Sequence, residues 1–275
     1  MQQKAYEADI IIAEVLKHRV LQKHLGTRKL LGEMQIFLDS HSFQIGRDAL
    51  FTLLADRGLL VRKRKRKGSI TTFSKHRYRK YPNIIKGYIP IAPNLLWATD
   101  ITYIHVGAKF AYLSLITDLY SHKVVGFHLH KTLSAKGPLQ ALKMALQSAG
   151  DVSQLIHHSD RGVQYCCDEY VKMLNDNHIK ISMTENGDPL ENAVAERVNG
   201  ILKMELLEPA YPNFIMAQDA MAVAISTYNY LRPHNSINNL KPAEAHQLTG
   251  AIPKKWKSYY KPKKVEEPME MMAPC

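Results

Sequence analysis

Three stretches in the middle of the chain alternate apolar and polar residues in the way that β-strands do. They cover residues 97–106, 110–117 and 123–130. Gly107 and the segment 118–121 supply turns between them, so we predict an antiparallel arrangement of three strands. Two shorter apolar runs, at 155–158 and 180–183, predict a fourth and a fifth strand.

Apolar residues recur at helical spacing through most of the remaining chain. This pattern predicts helices over 6–25, 27–39, 46–57, 134–148, 167–175, 191–207 and 214–231. From residue 97 onward the elements follow the order β-β-β-α-β-α-β-α. We therefore predict the α/β class, a five-stranded mixed sheet with flanking helices, preceded by an all-α domain.

The positive charge of the chain is concentrated in its first third. Of the net charge of +12, residues 1–90 carry all, with 19 Lys and Arg against 7 Asp and Glu, while residues 91–275 carry 18 of each. The sequence thus predicts a basic arm ahead of a neutral globular body. A solvated basic tail is one interpretation, but the helical pattern within the arm favours contact with a polyanion such as nucleic acid.

Two of the N-terminal helices, 27–39 and 46–57, are joined by a short polar turn. The second would expose Arg47, Thr52 and Arg57, an arrangement that looks like a helix-turn-helix. A helical hairpin that only packs would show the same spacing. We favour DNA binding, with Arg47 as a candidate contact.

A run of six cations follows these helices: Arg62, Lys63, Arg64, Lys65, Arg66 and Lys67. Like charges this close repel one another and stay extended unless a polyanion neutralises them. Further cations at 75–80 alternate with aromatic residues. We predict that 61–90 is a linker that follows a nucleic-acid backbone, although a linker that is merely soluble remains an alternative.

The cysteines and the hydropathy of the chain indicate the cellular compartment in which we expect the protein. Cys166, Cys167 and Cys275 suggest neither a disulfide framework nor paired zinc spacing, which fits a reducing cytosol. The sequence contains no run of about 18 apolar residues and no signal-peptide pattern. We expect an intracellular, cytoplasmic protein with no membrane partner.

Three acidic residues stand at positions where they could converge. Asp100 ends the run 97–100, Asp160 follows the fourth predicted strand, and Glu196, with 35 residues between it and Asp160, lies on the helix 191–207. Carboxylates at one sheet edge could hold hard divalent cations that assist phosphodiester chemistry. Each acid alone is weak support, since an Asp at a strand end is usually a turn or cap residue.

Other titratable residues nearby are interpreted as structural. Asp118 begins the predicted turn 118–121, so we assign it to that turn. His157, His158 and His178 lack the spacing of a metal-binding set, and we expect them to form hydrogen bonds.

The helix 191–207 has two distinct faces. Asn192, Glu196 and Lys203 fall at i, i+4 and i+11, on one face. The opposite face is apolar and should pack on the sheet, through Val194, Val198 and Ile201. Glu196 would then be presented by a helix whose other side is anchored.

These motifs resemble a known family. The residues concerned are Trp97-Ala98-Thr99-Asp100-Ile101-Thr102-Tyr103, His158 to Tyr165, and Asn192 to Glu196 with Lys203 seven residues on. Together with the interval of 35 residues, they resemble the signature of the DDE transposases and retroviral integrases. The most similar group is the transposases encoded by the second reading frame of elements in the family named after insertion sequence three, whose C-terminal signature resembles Tyr228-Asn229 with Arg232-Pro233-His234.

The resemblance implies a ribonuclease H-like integrase core. It also implies that Asp100, Asp160 and Glu196 are catalytic and bind two Mg²⁺, with Mn²⁺ as a substitute, and that Lys203 contacts DNA. The implied activity is cleavage at the 3′ ends of a bacterial insertion sequence, followed by strand transfer into target DNA. The implied partners are double-stranded DNA, further copies of the chain and an upstream-frame protein of the same element.

These observations together predict four segments: a helix-turn-helix-like domain at 1–60, a basic linker at 61–90, a catalytic core at 91–210, and a C-terminal helix with a tail at 211–275. Two other functions stay open at this point. One is a catalytically silent DNA-binding regulator, which would have no need of three spaced acids. The other is a ribonuclease H-type nuclease acting on RNA–DNA hybrids, which the helix-turn-helix pattern disfavours.

Overall fold

The computed structural model describes residues 2–61, 76–185 and 192–253. The six consecutive cations at 62–67 lie outside these ranges, as does Cys275. Within the described ranges, no helix is both long enough and apolar enough to cross a membrane.

Four helices form the N-terminal region: α1 (Gln2–Leu21), α2 (Thr27–Glu33), α3 (Gln35–Ser40) and α4 (Arg47–Asp56). Their apolar faces enclose a core of their own, in which Val15, Leu30 and Leu50 are fully buried. The prediction of an all-helical N-terminal region is confirmed. The prediction of one helix over 27–39 is wrong in detail, because α2 ends and α3 begins on either side of Met34, whose φ is −88° and ψ 0° and whose side chain is buried in this core.

A mixed sheet of five strands forms the middle of the chain, and this confirms the predicted fold class. The strands are β1 (Leu96–Val106), β2 (Lys109–Asp118), β3 (Val124–His130), β4 (Ile156–Ser159) and β5 (Lys180–Met183). Their order across the sheet is β3-β2-β1-β4-β5. The first three strands are antiparallel, whereas β4 pairs in parallel with β1 and β5 pairs in parallel with β4.

Helices cover both faces of this sheet: α5 (Lys136–Ala149), α6 (Val163–Cys166), α7 (Asp168–Asp176), α8 (Ala193–Ile201), α9 (Phe214–Tyr230) and α10 (Pro242–Ala245). On one face, α5, α6 and α7 pack with Trp97 and Leu155. On the other face, α8 and α9 pack with Leu113 and Leu115 of β2. The helix predicted over 191–207 is α-helical only in α8. After Ile201 the chain continues as a π-helical turn, Leu202–Leu206.

The close contact between α5 and β3 depends on one glycine. A Cβ atom at Gly126 would collide with the carbonyl oxygen of Ala141 and lie 2.9 Å from the Ala145 Cβ. Because this position has no side chain, α5 can lie directly on the sheet. The packing of α5 holds β3 and β2 in place beside β1.

Candidate active site

Asp100 lies in the middle of β1, the central strand, and is half-buried. Its Oδ1 accepts a hydrogen bond from the backbone N–H of Ile101 (2.9 Å), and its Oδ2 accepts one from Asn199 Nδ2 (2.6 Å). Burial, and after it the negative charges of Asp160 and Glu196, raise the pKa of Asp100 from 3.8 to about 7, although the two hydrogen bonds lower it. The charges of Asp160 and Glu196 therefore both act on the carboxyl group of Asp100.

Asp160 follows β4 directly, and parallel pairing brings it beside Asp100. The register pairs Leu96 with Ile156 and Ala98 with His158, so two further residues along each strand bring Asp100 level with Asp160. Asp160 Oδ1 accepts a hydrogen bond from the N–H of Gly162 (2.9 Å). This contact closes the turn after the strand.

Gly162 is required here for space. Its φ of −64° is available to any residue, so the turn does not depend on glycine's conformational freedom. A Cβ at Gly162 would lie 2.9 Å from Asp160 Oδ1 and 3.1 Å from Gln164 Oε1. A larger residue would push the Asp160 carboxylate out of its position.

Glu196 is exposed near the start of α8, which is anchored to the sheet at both ends of its polar face. Asn192 Nδ2 donates to the carbonyl oxygen of Thr99 (3.1 Å), next to Asp100, and Asn199 binds Asp100 itself. On the opposite face Val198 is buried in the core. The helix thus holds Glu196 where its charge acts on Asp100 of the central strand.

Lys203 lies one turn beyond Asn199 and is half-buried. Burial lowers the pKa of Lys203, and the charge of Asp100 acts in the opposite direction. Its ammonium group is therefore close enough to the acids to balance part of their charge. The π-helical turn that contains Lys203 follows α8 directly.

Asn199 was not among the site residues predicted from the sequence. Its spacing was a usable signal, because it falls at i+7 from Asn192, at i+3 from Glu196 and four residues before Lys203. These four positions form one polar stripe along the helix, and the structure brings all of them to β1 or to Asp100.

The donor set fits a hard divalent cation in its chemistry. The charges of Asp160 and Glu196 both act on Asp100, and together with burial they raise its pKa, so a cation bound there would be favoured. Among the described residues, however, no three His, Cys, Asp or Glu side chains are arranged closely enough to hold an ion. Glu196 is exposed, so a bound cation would have to draw its carboxylate towards the two aspartates.

The neighbouring histidines and Asp118 have structural contacts. His157 Nε2 lies 3.0 Å from the hydroxyl of Tyr170, and His158 Nδ1 lies 2.9 Å from Ser182 Oγ. Burial lowers the pKa of His157 to about 3, which keeps it neutral. Asp118 accepts hydrogen bonds from the N–H and the hydroxyl of Ser121, as expected of a turn residue.

The C-terminal segment supports the sheet. The side-chain amide of Asn229 accepts a hydrogen bond from the N–H of Val124 and donates one to its carbonyl oxygen, both at 2.9 Å. Tyr228 donates its hydroxyl proton to the carbonyl oxygen of His122 (3.0 Å). Because β3 is an edge strand, these contacts satisfy backbone groups that would otherwise have no partner.

Comparisons with known proteins identify the family. Two models described as "Integrase core domain" match residues 90–189 and 177–242. The uncharacterized 31 kDa protein of insertion element IS600 from Shigella sonnei is 33% identical over 237 residues, which cover 84% of this chain and 86% of that protein. Transposase InsF for insertion sequence IS3A from Escherichia coli K12 is 29% identical over 187 residues, 66% of this chain and 64% of that protein.

The chain belongs to the insertion-sequence-three family of DDE transposases. Among solved structures, a chain of the simian T-cell lymphotropic virus intasome in complex with the PP2A regulatory subunit B56 gamma aligns with a TM-score of 0.50 and 17% identity. That alignment covers 86% of this transposase and 76% of the viral chain. It supports the integrase-like fold.

The DNA contacts expected in the N-terminal part of the transposase are only partly described. Arg47 is exposed at the start of α4, where its Nε donates to Asp48 (2.8 Å). This local pair leaves the remaining guanidinium donors facing solvent. The six cations at 62–67 lie outside the described residues.

Without metal, the variant Asp100→Asn of the transposase is expected to be more stable than the natural chain above pH 7. Between about pH 4 and pH 7 the folded chain keeps a proton on Asp100 that the unfolded chain has released. The free energy of unfolding of the natural chain therefore falls as the pH rises through this window, by at most about 4 kcal/mol. Because Asn does not ionise, the stability advantage of the variant should grow between about pH 5 and about pH 8.

Urea unfolding in EDTA at both pH values measures this difference, with the exposed Asp176→Asn as the control. Mg²⁺ should then stabilise the natural chain at the higher pH and leave Asp100→Asn unchanged. An advantage that is equal at both pH values would show that Asp100 does not hold its proton in this window.

Proposed function

We propose that this transposase cleaves the DNA strands at the 3′ ends of its element and joins them to target DNA, using Asp100, Asp160 and Glu196. The observation that carries the proposal is the interaction of these three carboxylates at Asp100, on the central strand of an integrase-like sheet. The family relationship supports DNA recombination as the overall activity.

The reaction consists of two phosphoryl transfers. In the first, water attacks the phosphorus at the element end, the bond to the element's 3′ oxygen breaks, and the element keeps a 3′-hydroxyl while the flanking DNA keeps the phosphate. In the second, that 3′-hydroxyl attacks a target phosphodiester, and the target's own 3′ oxygen leaves with a proton. No protein side chain becomes covalently bound in either transfer.

In this proposal the transposase residues bind, orient and balance charge. Asp100, Asp160 and Glu196 would hold two Mg²⁺, or Mn²⁺ in their place. Bound divalent cations supply activation of the attacking hydroxyl and stabilisation of the leaving oxygen. Asn199 fixes one oxygen of Asp100, and Lys203 offers its ammonium group to a phosphate of the DNA close to the acids.

Both transfers require that element ends and target meet in one complex. We propose that several copies of the transposase assemble on double-stranded DNA, with Arg47 and the cations Arg62, Lys63, Arg64, Lys65, Arg66 and Lys67 contacting it. The upstream-frame protein of the same element is proposed as an additional partner.

The direct test is to incubate the purified transposase with duplexes that carry its own element ends and to map the products. In Mg²⁺ we expect a nick at the 3′ end of the element that leaves a free 3′-hydroxyl, and no nick in EDTA. Cleavage at the 5′ end, or no cleavage of its own ends under any divalent metal, would contradict the proposal.

The variant Asn199→Ala is expected to cleave about 10–100-fold more slowly at limiting Mg²⁺, because it removes the donor that orients Asp100. The same hydrogen bond lowers the pKa of Asp100, so the rise of activity with pH should shift to higher pH. Rates measured across Mg²⁺ concentrations and pH values test both effects, with the exposed Asn175→Ala of α7 as the control. An unchanged pH profile would mean that Asn199 does not position Asp100.

A further inference from the structure

Residues 76–81, which we name the strap, lie against the catalytic core beside Asp160. In this segment inward and outward side chains are interleaved. His76, Tyr78 and Tyr81 are half-buried, and the two tyrosines pack against the apolar cluster around Tyr165. The three remaining residues, Arg77, Arg79 and Lys80, are exposed.

The strap is attached to the ends of β4 and β5, the two strands on the parallel side of the sheet. His76 Nε2 lies 2.9 Å from the carbonyl oxygen of Arg161, the residue after Asp160. Just beyond the strap, the carbonyl oxygen of Pro82 accepts a hydrogen bond from the N–H of Met183 (3.3 Å), and the N–H of Ile84 donates to Ser182 Oγ (3.1 Å). The segment thus covers the edge of β5 and ends beside the catalytic aspartate.

The two arginines of the strap are held over tyrosine rings. The guanidinium carbon of Arg77 lies 5.9 Å from the ring centroid of Tyr78, and that of Arg79 lies 5.0 Å from the ring centroid of Tyr81. Cation–π contacts of this kind orient a guanidinium group while its N–H donors still face outward. The side chains therefore lose less freedom when they bind a ligand.

The charge on the strap is not balanced by acids of its own. Within the described ranges, no ion pair involves Arg77, Arg79 or Lys80, and the Nε of Arg161 beside them is buried without a hydrogen-bond acceptor. A polyanion is the ligand that a row of oriented, uncompensated cations fits.

We propose that the strap binds the phosphate backbone of DNA and holds one strand beside Asp160, through Arg77, Arg79 and Lys80. This inference rests on the proposed function, because the three acids by themselves repel DNA phosphates and a nearby cationic surface offsets that repulsion. Lys203 contributes positive charge from the π-helical turn after α8, and the strap does so beside β4 and β5. A DNA strand that reaches the acids would then lie between cations of two elements.

A solvating role for the three cations is the alternative. A solvated charge needs no fixed position, whereas here aromatic anchors, a histidine contact and strand-edge hydrogen bonds fix the segment next to the acids. The two interpretations differ in how strongly DNA binding should respond to salt.

The test measures the affinity of the full chain for a random-sequence duplex of about 30 base pairs in EDTA, across a series of salt concentrations. The strap variant is Arg77→Gln/Arg79→Gln/Lys80→Gln. The control, Lys109→Gln/Lys143→Gln/Lys180→Gln, removes the same charge from exposed lysines on a hairpin, on α5 and at the far end of β5. Since each phosphate contact contributes about 0.9 to the salt slope, the strap variant should lose about 2–3 from the slope.

We expect the affinity of the strap variant to fall about 10–100-fold at about 150 mM salt, and that of the control by less than about 3-fold. The single variant Lys80→Gln should lose about 0.9 from the slope, which keeps the test valid if the triple variant folds poorly. Equal slopes for the strap variant and the control would overturn the inference.

Cleavage of the transposase's own element ends separates this inference from the proposed function. If the natural chain cleaves them but the strap variant binds like the control, only the role of the strap is wrong. If the natural chain binds DNA with the expected slope but cleaves nothing, the strap stands as a DNA-binding site and the proposed function fails.

Discussion

Replacing Asp160 by Asn is expected to abolish strand cleavage in Mg²⁺ while DNA binding stays within about 3-fold of the natural chain. Asn keeps the oxygen that accepts the hydrogen bond from Gly162, so the turn after β4 is preserved. It removes the negative charge that would hold a divalent cation beside Asp100. Losing several kcal/mol of transition-state stabilisation slows cleavage at least about 1,000-fold.

The measurement is single-turnover cleavage of a labelled element end, together with the dissociation constant for the same DNA in EDTA. Asp176→Asn on α7, which also neutralises one acid, is the matched control and should cleave normally. Cleavage by Asp160→Asn at more than about a tenth of the natural rate would show that Asp160 is not an active-site residue.

The variant Arg232→Ala is expected to lower the free energy of unfolding by about 3–5 kcal/mol. Arg232 is buried after α9 and donates two hydrogen bonds to Glu205 of the π-helical turn, at 2.7 and 2.8 Å. Although burial raises the pKa of Glu205, its hydrogen bonds with Arg232 and the nearby positive charges lower it overall. Ala would leave the Glu205 carboxylate without this partner in a partly buried position.

The pair also lies where the N-terminal helices meet the core. Lys29 of α2 is close enough that burial first, and then the charge of Arg232, lower its pKa to about 8. Urea unfolding of Arg232→Ala can be compared with that of Lys23→Ala, which breaks an exposed ion pair with Glu208 across the same junction and should cost less than about 1 kcal/mol. A loss of stability that is equal in the two variants would show that the buried pair contributes no more than a surface pair.

The sequence predicted the sheet well where the signal is local. The three strands β1, β2 and β3 alternate apolar and polar residues and are separated by clear turns, so their predicted bounds differ from the structure by at most one residue. Their order relative to β4 and β5 is decided by contacts between distant residues, which no local pattern contains. Asp100 and Asp160 meet only because β4 pairs in parallel with β1.

Other features depend on packing that the sequence does not show. The helix 27–39 has a continuous helical pattern, yet it is interrupted at Met34 in the core of the N-terminal region. The helix 191–207 widens into a π-helical turn after Ile201, which no periodicity predicts. The strap was predicted to be part of the linker 61–90 that follows a nucleic-acid backbone. That its alternating aromatic residues pack on the core was not predicted.

The central claim, that Asp100, Asp160 and Glu196 together bind the catalytic metal, is tested most directly by diffraction from crystals of the transposase containing Mn²⁺. Anomalous scattering locates this ion without reference to activity. We predict peaks within bonding distance of the carboxylates of Asp100 and Asp160, with Glu196 moved towards them, and no peaks there in crystals of Asp160→Asn. Mn²⁺ bound only elsewhere on the chain, or peaks that persist in the variant, would contradict the account.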